Sequence, residues 1–129
     1  MSHAEYVDWA DLAEYLDTGN TIVANKKLTD QNIVNADFGS IYFNSTEFKN
    51  CCFVNCAFVG TVFTICSFNN CKFTDCVFVD CRFRECWLKK VRIYSSTIIS
   101  CCIRKVKAAL LEMETNKIKD SNFIDCQLI

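Results

Sequence analysis

All eleven phenylalanines of this 129-residue chain fall on one arithmetic series. Phe38, Phe43, Phe48, Phe53, Phe58, Phe63, Phe68, Phe73, Phe78, Phe83 and Phe123 are separated by multiples of five. Leu28 and Ile33 precede them, and Leu88, Ile93, Ile98 and Ile103 continue the series. Ala108, Met113, Ile118 and Leu128 complete it, and only Ala108 is not large and apolar. A helix repeats every 3.6 residues and a strand every two, so neither alone produces this spacing. A short fixed period sustained over most of a chain specifies a stacked-repeat architecture.

The other columns of the repeat say how each unit is built. Two places before each large apolar residue the chain reads Cys51, Cys56, Thr61, Cys66, Cys71, Cys76, Cys81, Cys86, Val91, Ser96 and Cys101. These small groups suit a crowded interior beside aromatic rings. Two places after it stand Asp30, Asn35, Ser40, Ser45, Asn50, Asn55, Gly60, Asn70, Asp75 and Asp80, residues that form turns by bonding their own backbone. The flanking positions are mixed and largely polar. Each pentad therefore reads as a short extended piece ending in a turn, with two residues inward and three outward. A single pentad cannot bury its phenylalanine, but stacked coils can. Proline is absent and there are three glycines, which excludes an ordinary set of strands joined by Gly/Pro turns.

The run Asn50-Cys51-Cys52-Phe53-Val54 through Asp80-Cys81-Arg82-Phe83-Arg84 resembles the pentapeptide-repeat family. That repeat is a small residue, a polar one, Leu or Phe, then two polar ones. Cysteine dominates here where the family often has alanine. The resemblance implies an all-β solenoid, a right-handed quadrilateral β-helix with four pentads per coil. About five coils at ~4.8 Å each would make a rod about 25 Å long. Residues 26–129 form the expected β-helix, and residues 1–25 a capping helix with its linker.

Within that first segment a helix is predicted over 2–18, with Ser2 as N-cap and Gly19 following its C-terminus. Tyr6, Trp9, Ala10, Ala13 and Leu16 would form its apolar stripe. Such a helix covers an open coil edge. Residues 105–119 have high helix propensity, yet Ile118, Phe123 and Leu128 remain in register, which favours continued coil.

Chemistry is nearly absent from the sequence. His3 is the one histidine, and no nucleophile–base set or phosphate-binding loop is present. The repeated C-x4-C spacing departs from paired zinc-ligand motifs, so no metal and no cofactor is expected. Stacking twenty residues apart would instead make interior ladders such as Cys51 on Cys71, with Cys52 and Cys102 outward. Eleven cysteines without a readable secretion signal point to reduced thiols in the cytoplasm. No apolar window is long enough for a bilayer. An enzyme is not expected.

The surface carries the remaining information. Val59, Val77, Val79 and Ile99 should stack outward on one wall, beside Ala57 and Thr97, as a protein-binding stripe. Arg82, Arg84, Lys89, Lys90, Arg92 and Arg104 should gather on the neighbouring walls. The N-terminal segment has no Lys or Arg before Lys26, so the net charge of −1 conceals a dipolar rod. Phe123 and Leu128 should lie on an uncovered last coil, which implies a homodimer. The expected function is a non-enzymatic interaction scaffold or adaptor with a protein partner, without nucleic-acid or membrane binding. The alternative implied by the resemblance is a DNA mimic that binds or protects DNA gyrase or topoisomerase. The basic middle of this chain and the lack of an evident C-terminal dimerising helix depart from that group.

Overall fold

The computed structural model describes residues 4–129. Backbone runs in three-residue strands, one per pentad, and four parallel sheets stack them at intervals of twenty residues. Face 1 aligns Ile33, Phe53, Phe73, Ile93 and Met113. Face 2 aligns Phe58, Phe78, Ile98 and Ile118, with Asp37 bridging to Ala57 above them. Face 3 aligns Val23, Phe43, Phe63, Phe83, Ile103 and Phe123. Face 4 aligns Leu28, Phe48, Phe68, Leu88, Ala108 and Leu128. The product is a four-walled β-solenoid of about six coils. The five-residue series is thus one quarter of a twenty-residue coil.

The corners explain how so short a strand ends. Every turn residue has a left-handed backbone, from Asn25 at φ 57° to Asp125 at φ 52°. Asn and Asp tolerate that region and Gly60 enters it freely. Ile65, Glu85, Lys90, Lys105, Leu110 and Thr115 adopt it as well, at φ 54–56°. Their own preference is overruled by the coil hydrogen bonds on either side, such as Ile65 N–H to Arg84 C=O at 3.0 Å. Exposed corner amides also form ladders, with Asn70 donating to Asn50 at 2.9 Å and Asn50 to Asp30 at 3.0 Å.

Inside, the phenylalanines stack in columns one coil apart. Phe43 and Phe63 lie 5.0 Å apart between centroids with planes 4° apart, and Phe58 and Phe78 lie 4.8 Å apart at 5°. Neighbouring columns meet edge to face, as Phe48 and Phe53 do at 65°. Both arrangements suit the ring quadrupole. The small column fills the corners of the interior, where each thiol lies against two carbonyls. Cys71 Sγ is 3.4 Å from Phe48 O and 3.5 Å from Asn69 O.

Helix α1 spans Trp9–Asp17 and starts later than the sequence suggests. Its N-cap is Asp8, whose carboxylate accepts from Asp11 N–H at 2.8 Å. Ser2 lies outside the described residues. Glu5–Tyr6 is a strand paired with Lys26 and Lys27, so Tyr6 is not on the helix and is exposed. The open edge of the first coil supplies hydrogen bonds that a fraying helical turn cannot match. The buried stripe is Leu12 with Trp9, Ala13 and Leu16, and Ala10 faces out. Trp9 rests on Phe38 at 5.3 Å between centroids, which closes the N-terminal end of the interior. Gly19 follows the helix at φ 96° and donates to Leu16 C=O, as its place in the sequence suggests. Strand Ile22–Ala24 already belongs to face 3, so the first coil begins there. At the other end, Lys107–Ala109, Glu112–Glu114 and Lys117–Lys119 are strands, and the helix-prone segment continues the coil.

Candidate interaction surfaces

Face 2 carries the apolar stripe. Val77 pairs with Ala57 and Thr97, and Val79 with Val59 and Ile99, so all six side chains share one outward surface across three coils. Val59 is 45% exposed and Val77 38%, while Val79 and Ile99 are half-buried by their neighbours. Asp37 bounds the stripe on one side, and the exposed Lys117 and Lys119 bound it on the other. Strands ~4.8 Å apart, with outward residues about 7 Å apart along each, give an area on the order of 100 Å². That is the centre of a contact rather than the whole of one.

Faces 3 and 4 carry Arg82, Arg84, Arg104 and Lys89, whereas Arg92 lies on face 1 between Lys72 and Glu112. Arg84 lies directly beside Arg104, both exposed, and Arg82 beside Cys102. Trp87 is half-buried beside Lys107. Like charges side by side repel, so this wall favours an anionic neighbour. The ion pairs among the described residues instead hold the N-terminal end, Lys26 to Glu5 at 3.0 Å and Lys27 to Glu47 at 3.7 Å.

The coil of Ala108 to Leu128 is the third surface. Phe123 is 59% exposed and Leu128 82%, with Ile118, Ile124 and Ile129 also exposed. Above it the interior is hollow. A cavity of about 370 Å³ is lined by apolar groups from Phe68 and Phe83 through Leu88, Ile98 and Ala108 to Phe123. It opens at the coil where Met113, Phe123 and Leu128 are exposed. Ten consecutive phenylalanines, Phe38 to Phe83, fill the middle of the interior, and Leu88, Ile93, Ile98 and Ile103 then leave the space that rings would occupy. Sequence reasoning passed over this cavity, although the loss of ring volume after Phe83 signals it.

The thiol ladders are as spaced. Cys51 with Cys71, Cys56 with Cys76, Cys66 with Cys86, and Cys81 with Cys101 stack as buried pairs. Within a pair the neighbouring thiol draws Cys51, Cys56 and Cys101 below the ordinary thiol range, against the opposing effect of burial. The partner thiol and burial together push Cys71 and Cys76 above that range. Cys52 and Cys102 are half-buried on the outer wall. Cys126 is in the inward column yet exposed, because it lies on the last coil.

Among the described residues no helix is long and apolar enough to cross a membrane. No family model matches the sequence, and no curated protein matches it. Solved structures do share the fold. Rfr23, a pentapeptide-repeat protein from the cyanobacterium Cyanothece 51142, superposes with a TM-score of 0.54 at 7% identity, covering 93% of this chain and 99% of its own. HetL from Nostoc sp. strain PCC 7120, a pentapeptide-repeat protein involved in heterocyst differentiation regulation, gives 0.71 at 10% identity. That match covers 85% of this chain and 48% of HetL, so the chain spans about half of HetL's length. QnrB1, a plasmid-mediated fluoroquinolone resistance protein, gives 0.50 at 10% identity over 84% of this chain and 82% of its own. A structure from Parabacteroides merdae described as a glycosyl hydrolase gives 0.56 at 8% identity, covering 96% of both chains. At these identities the likeness is one of fold. With its five-residue series and its four parallel walls, the chain folds as a pentapeptide-repeat β-helix.

Proposed function

We propose that the chain is a non-enzymatic interaction scaffold, working in the cytoplasm, whose solenoid presents two apolar surfaces to other proteins. The stripe of Val59, Val77, Val79 and Ile99 carries this reading, because branched apolar side chains stacked outward between charged rows gain from being covered. Phe123 and Leu128 form the second surface, which a second copy of the chain covers by two-fold pairing. Eight buried free thiols suit a reducing compartment.

A gyrase-directed DNA mimic needs a continuous negative surface. The exposed Arg82, Arg84, Arg92 and Arg104 weigh against it. The test is capture of partners from the native cell with the unmodified chain and with a Val59→Lys, Val79→Lys variant. The variant should keep its circular dichroism and lose the partner. Equal capture by both forms removes the stripe from the account, and capture of a topoisomerase restores the alternative.

A further inference from the structure

The hollow at the coil of Ala108 to Leu128 has the parts of a binding site. Its floor is one full coil of rings, with Phe68, Phe73, Phe78 and Phe83 each supplied by a different face. One step on, Leu88, Ile93, Ile98 and Ile103 form a wall of aliphatic groups smaller than the rings beneath them. A further step brings Ala108, the smallest member of the five-residue series. Phe83, Leu88, Ile93 and Ile103 stand in the inward column yet are only half-buried, whereas the phenylalanines from Phe38 to Phe78 are all buried. The surface they leave accessible therefore faces the hollow.

Size, shape and polarity narrow the ligand. From Phe68 past Leu88 and Ala108 to Leu128 the strands rise three coil steps, ~14 Å. A volume of about 370 Å³ spread over that depth is a shaft little wider than one hydrocarbon chain. A dry apolar cavity of about 150 Å³ takes one benzene, so at the same filling this one takes roughly fifteen carbons. Among the described residues no charged side chain lines it, and its polar side chains are Cys126 and Gln127, both on the last coil. A buried charge would go unpaired there, which excludes an ionised head drawn into the shaft. The Gln127 amide both donates and accepts, so a hydroxyl at the mouth has a partner.

We propose that this hollow binds one unbranched alkyl chain with an uncharged polar head, inserted tail first as far as the phenylalanine floor and with its head beside Gln127. Binding is driven by taking apolar surface of both chain and lining out of water. A preformed apolar shaft with a few polar groups at one end is the common form of a small-molecule site. The site lies within one chain, so it stands apart from the valine stripe and the pairing of copies proposed above.

The test uses the full chain at low concentration, where pairing leaves the mouth open, with the uncharged fluorophore N-phenyl-1-naphthylamine as reporter. Straight-chain primary alcohols from hexanol upward are offered as competitors. Each added methylene should tighten binding about fourfold, and the gain should level off between about ten and fifteen carbons. A Leu88→Phe, Ile98→Phe variant fills the shaft with rings one coil step from Phe68 and Phe78, the spacing at which Phe58 and Phe78 already stack at 4.8 Å. It should keep its circular dichroism, melt higher and lose the reporter. Ala108→Leu is a milder filling, with a residue that this column already holds at Leu28 and Leu88, and should weaken binding. Val59→Lys, on the outer wall, should bind as the unmodified chain does. No binding, an affinity that ignores chain length, or filled variants that bind as before would overturn the proposal. So would loss of binding in Val59→Lys.

Discussion

Phe48 and Phe68 stack one coil apart, with ring centroids at 4.7 Å and planes within 3° of parallel. Both rings are almost wholly buried, and each also meets the next column edge on. The coil step and the offset stacking distance of two aromatic rings coincide, so the backbone ladder and the core reinforce one another.

Position in the stack therefore decides what a phenylalanine contributes. Phe68→Ala should cost ~3–5 kcal/mol, as for other buried ring truncations. Phe123→Ala removes the same ring from an exposed place and should cost less than about 1 kcal/mol in the unassociated chain. Chemical denaturation at low protein concentration measures both. Equal losses would mean that the columns do not form the core.

The corner at Ile65 should be improvable. A β-branched residue at φ 54° is strained by about 1–2 kcal/mol, and its side chain is exposed. Ile65→Asn should raise stability by about 1 kcal/mol, read as a higher melting temperature. A drop would show that the isoleucine side chain makes a contact outweighing its backbone strain.

Thiol reactivity should follow depth rather than column. Cys52, Cys102 and Cys126 should label within minutes under native conditions, and the other eight only after unfolding. Peptide mass spectrometry after timed alkylation reads this directly. Fast labelling of Cys71 or Cys76 would mean that the coils open readily.

Much of this was legible in the sequence because the repeat acts on every coil at once. The column of Phe53, Phe73 and Ile93 follows from counting by five, and so does the outward placing of Val59 and Val79. Single residues that the repeat overrules were not legible. Nothing local to Ile65 or Leu110 announces a left-handed corner, which the ladder on either side imposes. Tyr6 fits a helical stripe, yet an unpaired strand edge at Lys26 and Lys27 draws it out of the helix. Leu12, the most buried residue of the cap, stands three places after Trp9 and four before Leu16, so the stripe centres on it once Tyr6 leaves the helix. Cys126 and the hollow around Ala108 depend on the shape of the last coils, and a column of letters states side-chain size without stating what fills the space between walls.

Association through exposed apolar surface is the centre of this account, and the mass of the particle in solution tests it most directly. Sedimentation equilibrium of the unmodified chain should give twice 14.8 kDa, and a Phe123→Glu, Leu128→Glu variant with an unchanged circular dichroism spectrum should give 14.8 kDa. An unmodified chain that stays at the single mass to the highest concentration reached, or a charged variant that still doubles, would contradict it.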